Sequence, residues 1–402
     1  MDASQPRGNR RAGPPTPIDR MLAGMQRKPL SRRSFLRAAA IGPAAAYLAA
    51  CSKSVGPSRP SASATTPAAT GGSTPPTPVL EGELNIYNWA QYLNPESLTA
   101  FEEEYDVTTT QDFYSSNEDL IARLQAGASG YDLIAPTGYA VQIMAEEGLL
   151  LELDHSRIPN IANVDPKYLG LAYDPENRFS LPKDWGTTGF MYVSDQIGQD
   201  MTSWADFYAL APEFSGKYTV LDSAPEVVGS ALKLHGNSYN STDQAEIDEA
   251  VDLLIELKPH LAGILSSGYR EMIQRGESYV ALGWNGDYFY TLEDQPSTRY
   301  VIPSEGTEFW VDTWAIPASA PHPNLAMEFI NWILTPERQG TETNFTYYAS
   351  AVTGAAEHTD PAIAGDPAIY PPSEVTDKLE ANSGDPLALQ LRTDAWTRFK
   401  SA

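Results

Sequence analysis

The sequence predicts an α/β body of two lobes behind an export segment, and three observations carry that expectation. From residue 83 onward, short apolar strand-like runs alternate with segments of helical periodicity. The chain has 402 residues, of which 352 remain after residue 50, enough for two domains of typical size. It contains one cysteine, Cys51, so no disulfide can form within the chain and the fold must rest on its own cores.

The elements follow in order. Leu84-Asn-Ile-Tyr87 alternates apolar and polar residues as a strand does, and Asn94-Pro95 supplies an N-cap and a first-turn proline. A helix through about Tyr105 is expected, with Leu98 and Phe101 on one face. Val107 to Tyr114 reads as a strand. Ser115 to Glu118 matches a capping box for a helix bearing Leu120, Ile121 and Leu124 and stopping at Gly127. Tyr131 to Pro136 reads as a short buried strand, followed by a helix from about Ala140 to Glu147. Farther on, Phe190–Val193, Tyr218–Leu221, Tyr279–Trp284 and Trp310–Ile316 are expected strands. Ser241 to Gln244 should cap a helix with Ile247, Val251, Leu254 and Leu257 inward, and Leu325, Phe329, Ile330 and Ile333 line another helix. No internal repeat is found.

The N-terminal fifty residues follow different rules. Ser31-Arg-Arg-Ser-Phe-Leu-Arg37 precedes an alanine-rich apolar stretch, Ala38–Ala50, that is shorter than the roughly 20 residues a membrane span needs. The pair Arg32-Arg33 in this setting resembles a twin-arginine export signal, and Leu48-Ala-Ala-Cys51 resembles a lipobox. Cys51 is therefore the expected lipidation site, anchoring the chain to the outer face of the cell membrane without spanning it. Residues 51–80 are rich in Ser, Thr, Ala, Gly and Pro and contain no aromatic residue, as expected of a disordered tether.

Charge and motifs narrow the function. The whole chain carries −25; residues 1–50 hold nine basic side chains against two acids, so residues 51–402 carry −32. Such acidity disfavours nucleic acid and favours cationic partners. The five histidines, at 155, 235, 260, 322 and 358, are scattered. No HExxH, GxSxG, P-loop or dinucleotide-binding glycine pattern occurs, so neither a metal, a cofactor nor an enzyme activity is expected.

What stands out is aromatic residues beside carboxylates at strand ends: Trp89 and Tyr92, Thr137 and Tyr139, Trp284, Trp310 with Asp312, and Tyr347-Tyr348, with Asp222 and Glu226 between. In open α/β sheets ligands bind beyond the carboxyl ends of strands. Aromatic faces attract cations and pack on methylene groups, while carboxylates accept charged hydrogen bonds from ammonium groups. Each residue also has a plainer reading: Trp89 and Trp284 as core aromatics, Glu118 as a helix cap, Asp312 as a turn residue.

The run Asn85-Ile-Tyr-Asn-Trp-Ala-Gln-Tyr92 resembles the spermidine/putrescine-binding proteins of polyamine ABC transporters. The likeness extends from about Glu83 to Ala351 through Ser116-Asn-Glu118, Tyr131-Asp-Leu-Ile-Ala-Pro136, Trp185-Gly186, Thr202-Ser-Trp-Ala-Asp206, Trp284-Asn-Gly286 and Phe309-Trp-Val-Asp-Thr-Trp-Ala-Ile-Pro317. The resemblance implies a two-lobed periplasmic-binding-protein fold of type II, each lobe a mixed sheet flanked by helices, with the ligand in the cleft between them. Expected boundaries are 81–189 plus 310–358 for lobe 1 and 190–309 plus 359–402 for lobe 2.

Carried over position by position, the resemblance implies an aromatic box of Trp89, Tyr92, Tyr139, Trp284, Trp310 and Tyr348, with Thr137 as a small hydroxyl group. Asp312 corresponds to the carboxylate for a terminal amine, and Glu226 to another amine ligand. Departures are visible. Ser223 stands where the family has an aspartate, and Asp222 comes one place early. Ala90 replaces a hydroxyl residue, and Asn382 is the nearest candidate for a C-terminal glutamine. The implied partners are a polyamine and ABC permease subunits, for a monomer outside the cytoplasm. The alternatives are a binder of the same fold for ferric iron, an opine-like solute or a sugar, and, from another class, a tethered glycoside hydrolase.

Overall fold

In the computed structural model the structure describes Leu80 and residues 82–402. The export signal with Arg32 and Arg33, the lipidation candidate Cys51 and nearly all of the tether lie outside the described residues. Among the described residues no helix is long and apolar enough to cross a membrane.

Among the described residues eleven strands form the framework: β1 (Glu83–Trp89), β2 (Thr108–Tyr114), β3 (Leu133–Ile134), β4 (Ser180–Val193), β5 (Tyr218–Val220), β6 (Leu261–Ile264), β7 (Val280–Trp284), β8 (Thr298–Val301), β9 (Glu308–Ala315), β10 (Ala349–Ser350) and β11 (Glu380–Ala381). Strand β1 pairs in parallel with β2 and β3, β3 is antiparallel to β9, and β9 is antiparallel to β4. Residues 180–187 of β4 hold this first group together. Residues 188–193 pair instead with β7 and β8, and β7 leads in parallel to β5 and β6. One fully buried strand thus belongs to two mixed sheet regions. Helices pack against both, so the expected α/β class is what the structure shows.

Several local signals act as expected. Asn94 accepts the Glu96 amide at 2.9 Å at the start of helix Pro95–Tyr105, which buries Leu98 and Phe101. Helix Gln244–Leu257 buries Ile247, Val251, Leu254 and Leu257. Two caps differ from expectation. The helix Asn117–Gln125 is capped by Ser116, which accepts from the Asp119 amide, so the capping register lies one residue later than Ser115–Glu118. The next cap is Asp243, accepting from Ala245, while Ser241 bonds Glu246.

Strand β4 begins ten residues earlier than the apolar run Phe190–Val193 indicates. Its first half contains Pro182, Lys183, Asp184 and Gly186, residue types that strands disfavour. Burial on both sides and pairing with β9 override that local preference. The register shifts between Pro182 and Asp184, making Lys183 the extra residue of a bulge.

Candidate functional site

Strand ends bring the aromatic residues together. Trp89 closes β1, and after a turn in which Gln91 adopts a left-handed φ of 58° the chain presents Tyr92. Trp284 closes β7, Trp310 lies in β9, and Tyr348 follows the left-handed C-cap of helix Pro336–Thr346. Tyr92, Trp310 and Tyr348 form one buried cluster with Trp89 and Trp284 against it. The rings meet edge-to-face, Tyr92 to Tyr348 at 5.6 Å and Trp310 to Tyr348 at 5.0 Å between centroids. Two glycines make this packing possible. Gly186 lies in register with Trp310, and a Cβ there would overlap the indole and Asn285 Oδ1; a Cβ on Gly286 would overlap the Tyr348 ring.

Asp312 lies on the same strand as Trp310, two residues on, and the β4 bulge sets Asp184 directly opposite it. The Tyr92 hydroxyl is 2.7 Å from Asp312 Oδ2 and also bonds Asp184 Oδ1. The Thr137 hydroxyl donates to Asp312 Oδ1 at 2.6 Å, and Asn117 Nδ2 donates to that hydroxyl at 3.0 Å. Thr137 heads helix Gly138–Glu146 without a side-chain capping bond, because its hydroxyl is turned to Asp312. Burial, then the Asp184 charge, push the Asp312 carboxyl up to about 7.

Behind Asp184 sits a cation of the protein's own. Lys183 is 2 % exposed, ion-pairs with Asp184 and lies 3.6 Å from the Tyr92 ring centre. Glu342, bonded by Ser97 and by the Asn94 amide, is pushed up to about 7 by burial, which Lys183 opposes.

A second acidic group involves Glu226. Ser223 donates to Glu226, whose carboxyl is raised by burial and, among charges, by Glu118. Tyr139 donates to Glu118 Oε1 at 3.0 Å. Glu308, buried in β9, accepts from Thr188 at 2.8 Å and from Asn382 Nδ2, and Arg392 Nη1 donates to Asn382 Oδ1 at 2.8 Å. Burial, followed by the Glu226 charge, raises the Glu308 carboxyl well above the ordinary carboxylate range. Asp222 is placed elsewhere: it is exposed and pairs with Lys400 at 3.2 Å, because Ser223, not Asp222, turns toward Glu226.

The rim is tied across the sheet ends. Tyr348 donates to Asp287 Oδ1 at 3.2 Å, Arg270 pairs with Asp287 at 3.3 Å, and Arg270 Nη2 donates to Gln91 Oε1 at 2.5 Å. Tyr347 stacks on Phe289 at 5.1 Å, so the Tyr347-Tyr348 pair divides between two surroundings. Among the described residues no group of three or more His, Cys, Asp or Glu side chains is placed to hold a metal ion.

Sequence reasoning missed Lys183, Asp184, Glu308, Arg392, Arg270 and Asp287. For Glu308 a signal existed: strand alternation from Asp312 through Trp310 reaches it. For Lys183 and Asp184 the bulge hid the alternation.

Comparison with known proteins agrees with this architecture. Residues 96–371 match the family described as bacterial extracellular solute-binding protein. The chain is 32% identical over 339 residues to the putrescine-binding periplasmic protein PotF of Escherichia coli K12, covering 79% of this chain and 91% of that one. It is 34% identical over 299 residues to a spermidine/putrescine-binding periplasmic protein of Salmonella typhimurium, covering 74% and 85%. The solved spermidine/putrescine ABC transporter substrate-binding protein PotD of Streptococcus pneumoniae superposes with a TM-score of 0.70 at 31% identity, over 80% of this chain and 99% of that chain. The two sheet regions joined through β4 are consistent with a two-lobed type II binding-protein fold. This chain belongs to the bacterial extracellular solute-binding protein family.

Proposed function

We propose that this protein captures polyamines outside the cytoplasm and delivers them to an ABC permease. The observation that carries the reading is the Tyr92–Trp310–Tyr348 cluster, flanked by Trp89 and Trp284, ending on Asp312. Rings would receive the methylene chain, and Asp312 would accept a charged hydrogen bond from a terminal ammonium. Thr137 holds Asp312, and Glu226 with Tyr139 stands as a second polar group for another nitrogen. Relatives named for putrescine and spermidine binding support the solute class. In this role the protein binds and releases its solute unchanged, so no catalytic step is assigned.

The lobe boundaries proposed are 81–189 plus 310–358 and 190–309 plus 359–402, closing on the ligand by hinge motion through β4. The export route through Arg32-Arg33, the lipid on Cys51 and a monomeric state are part of the same proposal. They would keep a strongly acidic receptor close to its permease. Metabolic labelling with a fatty acid tests the anchor: label on the wild type and none on C51S supports it.

Calorimetric titration with putrescine, spermidine, spermine, a neutral sugar and ferric iron tests the solute class. Heat with a polyamine and none with the sugar or iron is expected. No heat with any polyamine at micromolar protein overturns the reading.

A further inference from the structure

Glu308 has no role in the binding set assigned above, yet it is the most deeply buried carboxylate near the cleft, at 2 % exposure. It lies on β9 with Trp310 and Asp312 at alternate positions, so the three side chains share one face of the strand. A strand rises about 3.3 Å per residue, which sets the Glu308 and Asp312 backbones roughly 13 Å apart. The indole between them is 8 % exposed and its Nε1 has no hydrogen-bond partner, so the protein's own groups do not complete this face.

Charge around Glu308 is also incomplete. Its hydrogen bonds come from Thr188 and Asn382, both neutral. Glu226 is the like charge felt most strongly, and Arg392 attracts it from behind Asn382. Arg392 spends its Nη1 on Asn382, Asn240 and the Tyr239 carbonyl, and none of the ion pairs formed among the described residues includes Glu226 or Glu308. Burial without a contacting cation disfavours ionisation of Glu308, and an ammonium from a ligand would supply the charge that allows it.

We propose that Glu308 is a further amine-binding carboxylate of the same cleft, beyond Asp312 and Glu226, and that the Glu308–Trp310–Asp312 face selects linear triamines over the four-carbon diamine. The proposal rests on the polyamine reading above. An extended carbon–nitrogen chain advances roughly 1.25 Å per bond, so 1,4-diaminobutane spans about 6 Å and spermidine about 11 Å. With one ammonium on Asp312, the diamine ends beside Trp310. The triamine has the length to reach Glu308.

The test is calorimetric titration of the full chain, wild type and E308Q, with 1,4-diaminobutane and with spermidine. Wild type is expected to bind spermidine at least tenfold more tightly, and E308Q to lower the spermidine-to-diamine affinity ratio by tenfold or more. Equal loss for both ligands, or no triamine preference in wild type, overturns the proposal. Absence of binding by either ligand to wild type instead overturns the polyamine reading itself. If E308Q does not fold, E308D, which shortens the reach by one methylene, decides the matter: a falling ratio supports the proposal and an unchanged ratio overturns it.

Discussion

Asp184 and Asp312 face each other in register across β4 and β9, with the Tyr92 hydroxyl hydrogen-bonded to both. That hydroxyl carries one proton, so it donates to only one of the two carboxylates at a time. Asp312 is raised to about 7 by burial and then by the Asp184 charge, against the hydrogen bonds from Thr137 and Tyr92. Replacing Asp312 with Asn should weaken binding of a diamine by roughly tenfold or more, since a charged hydrogen bond contributes about 1.5–3 kcal/mol. Isothermal titration checks this. Equal weakening for every solute would make Asp312 structural.

The same carboxyl makes binding depend on pH. Below about 7 Asp312 is protonated and neutral, and above it the carboxylate is available to an ammonium. Diamine affinity should therefore rise roughly tenfold between pH 6 and pH 8 and then level off. In D184N the rise should begin at lower pH, because the charge opposing ionisation of Asp312 is gone. Titrations in buffers of different ionisation enthalpy would report the proton released on binding.

Stability of the ligand-free protein should run the other way. Asp312 and Glu342 are raised to about 7, and Glu226 and Glu308 are raised as well, chiefly by burial. The folded chain thus holds more protons than the unfolded chain, for Asp312 and Glu342 between their ordinary values near 4 and about pH 7. Stability contributed by these groups is present at the acid end of that window and is lost as pH rises through it. Thermal unfolding should give a higher Tm at pH 5 than at pH 8 without ligand, with a saturating polyamine narrowing the gap.

Lys183 is the buried partner of Asp184. Lys183→Met keeps the aliphatic stem and removes the charge, leaving a buried carboxylate without its cation. A loss of about 3–5 kcal/mol is expected. Urea denaturation checks the magnitude, and the double change of Lys183→Met with Asp184→Asn should recover part of it.

Gly186 is a position where a single methyl group matters. A Cβ there would overlap Trp310 and Asn285 Oδ1, both packed against β4. Gly186→Ala should displace the Trp310 indole, weakening ligand binding and lowering Tm. An unchanged tryptophan fluorescence spectrum and unchanged affinity would contradict this.

Much of the aromatic cluster was legible in the sequence. Trp89, Tyr92, Trp284, Trp310 and Tyr348 do meet in one cluster, and Thr137 does bond Asp312. Trp89 and Trp284 close their strands, where local pattern and position along a strand coincide. Asp222 shows the limit, since one residue of backbone rotation separates a cleft group from a surface partner of Lys400. Lys183 and Asp184 show another, because a bulge breaks the alternation on which strand reading depends.

Composition and local periodicity specify the α/β class, the helices from Pro95 and Gln244, and the choice of aromatic and acidic residues, because those depend on neighbours a few residues away. Pairing between distant segments specifies the rest. Strand β4 joins two sheet regions because β9 claims its first half and β7 and β8 its second. The protonation of Asp312 depends on Asp184, 128 residues earlier, and on exclusion of water by three rings from separate parts of the chain. Charge and burial act through space, so their effects follow the tertiary contacts rather than the order of residues.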